Sequence, residues 1–66
     1  MHLKFDEHRP FTLYAARMYK GLVARVIGAE GERHGEIQPV DEENTKVGTG
    51  VMRNEKIIRL IIDKGD

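Results

Sequence analysis

The residues in this sequence best equipped for chemistry are its three histidines, its eleven carboxylates and its two tyrosines. His8 follows Asp6 and Glu7, which sets an imidazole beside two acids, while His2 and His34 stand apart. Metal sites are marked by paired ligands at short spacings, such as i and i+4 on a helix. No such pair occurs, and the absence of cysteine removes thiolate ligands and disulfides together. Serine is absent too, so no nucleophile elbow or serine–base arrangement can form. Asp41-Glu42-Glu43 is a run of acids, but a catalytic pair needs one buried member with a raised pKa. Three successive acids in a turn are solvated instead. The expectation is a protein without catalytic residues, metal or cofactor, which binds rather than reacts.

Binding chemistry is better represented. The formal net charge is zero, yet the charge is unevenly spread. Between residues 8 and 29 stand Arg9, Arg17, Lys20 and Arg25 with no acid, whereas residues 30–43 hold six acids and the single cation Arg33. Such a dipolar chain either presents a basic face to nucleic acid or lets two solvated surfaces meet within the fold or between subunits. Tyr14 and Tyr19 are five apart, which on a helix separates them by about 140°. One of them must face outward, beside the cations, where it could stack on a base or anchor a protein contact.

These side chains need elements to position them. The 66 residues allow one domain, with 39% hydrophobic and 33% charged residues, enough apolar material for a small core. Residues 2–6 alternate, with Leu3 and Phe5 on one side, which predicts a short strand. Asp6 is a candidate helix cap, Pro10 suits a first turn, and Phe11, Ala15, Met18 and Leu22 recur at helical spacing. With Gly21 able to take a left-handed conformation past the end, the pattern predicts a helix over residues 10–20. Residues 22–27 are short, apolar and β-branched, and predict a strand. Gly28-Ala29-Glu30-Gly31 predicts a tight turn with a glycine at positive φ. Gly35 and Pro39 favour an extended strand over 33–40, and residues 45–52 alternate as a strand weakened by Gly48 and Gly50. The expected fold class is α+β, one N-terminal helix packed on a small antiparallel sheet in the order β-α-β-β-β.

The last strand, expected over residues 56–63, is the richest in aliphatics. Simple alternation puts Ile57 and Ile61 on one face and Ile58, Leu60 and Ile62 on the other. Both faces then need cover, which a chain this small supplies with difficulty, so Tyr14, Ile58, Leu60 and Ile62 are expected at a homodimer interface.

The run from Val23 to Gln38 also resembles the KH domain, a family that binds single-stranded RNA and DNA. Val26-Ile27 matches the apolar pair before its G-x-x-G loop, Gly28 and Gly31 match the loop glycines, and Ile37-Gln38 matches the helix that follows. Residues 42–47 look like the family's turn into a strand and residues 55–61 like the strand after it, so the similarity spans residues 22–62. The resemblance implies the order β-α-α-β-β and a groove in which Gly28 and Gly31 let a sugar–phosphate chain approach. A β-hairpin built from 22–28 and 33–40 accounts for the same glycines and for Pro39, and the backbone state of 32–40 decides between them.

Two functions follow as expectations. The first is a non-catalytic binding or regulatory protein acting through protein–protein contact. The second is single-stranded nucleic-acid binding through Arg9, Arg17, Lys20 and Arg25, or through Gly28 and Gly31. Glu30 lies where phosphate would approach the turn and repels it, which favours the basic segment. The N-terminal residues turn acidic at Asp6 without an apolar stretch, and no run is long enough to span a bilayer, so a cytoplasmic protein is expected.

Overall fold

The computed structural model describes residues 1–62. Its elements are β1 (His2–Lys4), α1 (Leu13–Met18), β2 (Val23–Gly28), β3 (Gly31–Pro39), β4 (Asn44–Val47), β5 (Gly50–Arg53), a 3₁₀ turn (Asn54–Lys56) and β6 (Ile57–Ile62). The class is α+β, as the sequence implied. All strand pairings are antiparallel, in the order β1-β6-β2-β3-β4-β5. β2 to β5 form a meander, and β6 then returns to lie between β2 and β1.

Residues 31–39 are a strand, so the second helix of the β-α-α-β-β alternative does not form. Gly31 to Glu36 pair along the whole of β2, and Ile37 to Pro39 pair with β4. One long strand thus joins β2 to β4, pairing first with one and then with the other. The switch of partner depends on bare backbone. A Cβ on Gly35 would lie 2.5 Å from the Gly48 Cα, and the Gly48 N–H donates to the Glu36 carbonyl at 3.1 Å.

The same contact corrects the reading of residues 45–52 as one strand. Gly48 takes φ +61°, and the chain reverses there into the β4–β5 hairpin, with Val47 opposite Gly50. The glycines that weaken a strand here end it, and the meander is longer than the three strands expected after the helix.

The helix is shorter than residues 10–20. It starts at Leu13 because the Thr12 Oγ1 accepts from the Ala15 N–H at 3.4 Å. Asp6 caps no helix; its Oδ1 accepts from the backbone of His8 at 2.8 Å and Arg9 at 2.9 Å, closing a separate turn. Gly21 has φ +84° just past the helix, as its position suggested. The buried stripe is rotated from the one expected. Phe11 and Ala16 are buried, Ala15 and Tyr19 pack against the core, and Met18 and Leu22 are exposed. A helix of six residues has one narrow buried line, and small Ala16 occupies it where α1 meets β3 and β4.

β6 departs from simple alternation as well. Ile27 pairs with Arg59 but Gly28 pairs with Ile57, so Ile58 is an extra residue, a β-bulge that resets the parity of the strand. Ile57, Leu60 and Ile62 all point inward, and Ile58 is 45% exposed. Leu60 and Ile62 are therefore core residues, not an interface, and β6 finds most of its cover within its own chain. Residue 63 of the expected strand lies outside the described residues.

The core joins Phe11, Ala16, Ala24, Val26, Ile37, Val47, Ile57, Leu60 and Ile62. Each large aliphatic buried this way stabilises by about 1.5–3 kcal/mol. Phe5 closes one end, its ring edge-on to Phe11 at 5.1 Å. No helix among the described residues is long and apolar enough to cross a membrane.

Candidate functional site

Two of the surfaces formed by the described residues pair exposed apolar groups with charge. The first lies on α1. Tyr14 is 74% exposed and Met18 is 56% exposed, and at i and i+4 they share one side of the helix. Of the two tyrosines it is thus Tyr14 that faces outward, while Tyr19 packs on the core. Thr12, Leu13, Tyr14, Arg17 and Glu42 line a shallow hollow of about 390 Å³ there, so one cation and one anion flank the aromatic ring. Leu22 and Val23 leave the helix exposed as well.

The second surface is the outer face of the sheet, where strand register fixes which side chains are neighbours. One row across the strands is His2, Ile61, Arg25 and His34; the next is Lys4, Arg59, Ile27 and Glu32. The opposite parity of the same strands, Leu3, Leu60 and Val26, faces the core. Arg25 Nε meets Glu32 Oε2 at 3.0 Å, with both side chains about half exposed.

The cations singled out in the sequence do not gather on one element. Arg9 sits in the turn after β1, Arg17 on α1, Lys20 in the turn behind it, and Arg25 on the outer face of β2. Arg25 also shows the acidic stretch meeting the basic one inside the fold. Lys4, Arg59, Ile27 and Ile61 were missed. Their signal was present, a cation amid the aliphatics of β6 and the His2/Lys4 alternation of β1, but only pairing unites them.

Gly28 and Gly31 close the β2–β3 hairpin and pair with each other. Gly28 is buried: a Cβ on it would stand 2.8 Å from the Met52 methyl and 3.2 Å from the Lys56 carbonyl. Its bareness therefore serves packing. Gly31 is open to solvent at φ +147°, which bears out the positive-φ glycine expected in this turn. The Ala29 N–H donates to the Lys56 carbonyl at 2.8 Å and pins the hairpin tip to the 3₁₀ turn.

The acidic turn is a local structure. Asp41 Oδ1 accepts from the backbone of Glu43 at 2.9 Å and of Asn44 at 2.8 Å, and from the Asn44 amide at 3.2 Å. The bond from Glu43 leads in holding the Asp41 carboxyl below its ordinary value; desolvation opposes it, and the two bonds from Asn44 add to the lowering. Among the described residues no three His, Asp or Glu side chains group as metal ligands would.

Comparison with protein-family models, curated proteins and solved structures finds no significant match to this chain.

Proposed function

We propose that this chain is a non-catalytic binding module that works through protein–protein contact, and that its α1 face pairs with a second copy. The observation that carries the reading is Tyr14 and Met18 side by side in solvent, on a chain too small to spare apolar surface. Arg17 and Glu42 flank the ring, a composition that is self-complementary under two-fold rotation, with each Arg17 meeting the Glu42 of the other copy. A subunit of this size gains stability from such a partner. The lack of cysteine and of a serine nucleophile supports a binding role in a reducing, cytoplasmic setting.

Sedimentation equilibrium at high micromolar concentration tests this directly. The unmodified chain should run as a dimer, Tyr14→Glu as a monomer, and Arg17→Glu as a weakened dimer that Glu42→Arg restores. These positions are exposed, so the variants should keep their fold within about 0.5 kcal/mol. A monomer at every concentration sinks the reading.

A further inference from the structure

The outer sheet face has a chemistry that the α1 face does not share. Lys4 on β1 stands directly opposite Arg59 on β6. Like charges in that relation disfavour the sheet, so the pair is retained at a cost to the fold. Arg25 on β2 lies opposite Ile61, two residues along from Arg59, which puts the two arginines on a diagonal. Three adjacent strands thus carry three cations in a track, stepped by about 4.8 Å from strand to strand. His2 and His34 extend the other row at its two ends.

We propose that this face binds the phosphodiester backbone of a single-stranded nucleic acid. Two of the three cations are arginines, whose planar forks match phosphate oxygens where a lysine offers a point charge. Ile27 and Ile61 lie half-exposed between the cations, and Val23 is exposed at the end of the same β2 face. Such aliphatics can meet base faces that are accessible only when a strand is unpaired. None of these three is aromatic, so the face grips the backbone and discriminates little between bases. Glu32 is the acid in these rows, and its bond to Arg25 holds one cation of the track back from a ligand; Glu36 stands beyond them, opposite Val23. The site is separate from the α1 face, so its binding does not depend on dimer formation.

The test is fluorescence anisotropy with labelled oligothymidine and oligouridine of about twelve nucleotides, within the range one small β domain covers. Affinity should fall with salt at a log–log slope near −2, about −0.7 for each of roughly three phosphates. Lys4→Glu with Arg59→Glu should weaken binding by about tenfold or more. Glu32→Gln, at an exposed position, should tighten binding by about threefold by freeing Arg25, a gain that a folding defect cannot produce. Arg9→Glu with Lys20→Glu, both exposed and outside this face and the α1 hollow, should leave affinity unchanged. The proposal falls if neither oligonucleotide binds at low salt, or if duplex or polyglutamate binds as tightly as the single strand. It falls equally if the Arg9/Lys20 variant loses binding while the Lys4/Arg59 variant keeps it.

Discussion

The Thr45 hydroxyl donates to Asn54 Oδ1 at 2.5 Å in the protein interior, a bond between β4 and the 3₁₀ turn that follows β5. Asn54 spends its amide hydrogens on the Glu42 carbonyl at 3.1 Å and the Asp41 carbonyl at 3.4 Å. One side chain therefore ties the acidic turn, β4 and the entry to β6, and every buried side-chain polar atom among the described residues has a partner.

Removing either partner strands the other, but not equally. Thr45→Val leaves one Asn54 oxygen unsatisfied and should cost about 1–3 kcal/mol. Asn54→Leu strips the Thr45 hydroxyl and two backbone carbonyls together and should cost more. Urea denaturation ranks them, and a Thr45→Val variant that is the weaker of the two would refute the account of Asn54 as the hub.

Two glycines should fail for different reasons. Gly35→Ala drives a methyl into the Gly48 backbone, at 2.5 Å from its Cα and 2.7 Å from its nitrogen. The strand cannot yield without disturbing its pairing with β2 or β4, so a loss at the upper end of about 1–3 kcal/mol is expected. Gly31→Ala meets nothing within 4 Å but must hold φ +147°. That conformation costs an L residue about 1–3 kcal/mol through strain alone. Crystal structures of the two variants separate the causes: shifted β4–β5 backbone in the first, a changed hairpin tip in the second.

The bulge in β6 makes a sharp contrast between neighbours. Leu60→Ala should destabilise by about 2–5 kcal/mol, as deletion in a packed core does. Ile58→Lys should fall within about 0.5 kcal/mol, because that side chain already meets water. Equal effects in thermal denaturation would mean that the parity of the strand is not reset.

The Asp41 turn should respond to acid. A carboxyl whose folded pKa is depressed adds stability that is fully present above its unfolded value, here about 3.8, and lost as pH falls through the lower folded value. Carboxyl NMR should show Asp41 titrating below pH 3.8, with the amide signals of Glu43 and Asn44 moving in step. Asp41→Asn should abolish that coupled movement. An Asp41 midpoint above the ordinary value would overturn the hydrogen-bond account.

Much of this fold was legible where local signals are strong. Gly21, the 28–31 turn, and the strand character of 22–27 and 33–40 follow from backbone freedom and β-branching alone. The failures share a cause, which is that parity and length are set by partners distant in sequence. Nothing near Ile58 announces a bulge; it arises where β6 must fit both Ile27 and Gly28 on β2. The α1 stripe shifted because the sheet, not the helical period, chose Ala16 as the contact. The candidate site was read half correctly for a similar reason. Tyr14 and Arg17 are near in sequence and could be found together, whereas Lys4, Arg59 and Arg25 meet only once three strands are in register.

The place of β6 between β1 and β2 has a consequence for synthesis at the ribosome. Of the described strands, the last to emerge is the one inserted between β1 and β2, so β1 has no partner until β6 has been made. Until then β2 holds an open edge, with Ala24 and Val26 uncovered and the hairpin tip lacking its tie to Lys56. Contacts this long in sequence form slowly and leave strand edges exposed while they wait. The core can therefore close only once β6 has emerged, in a single late step.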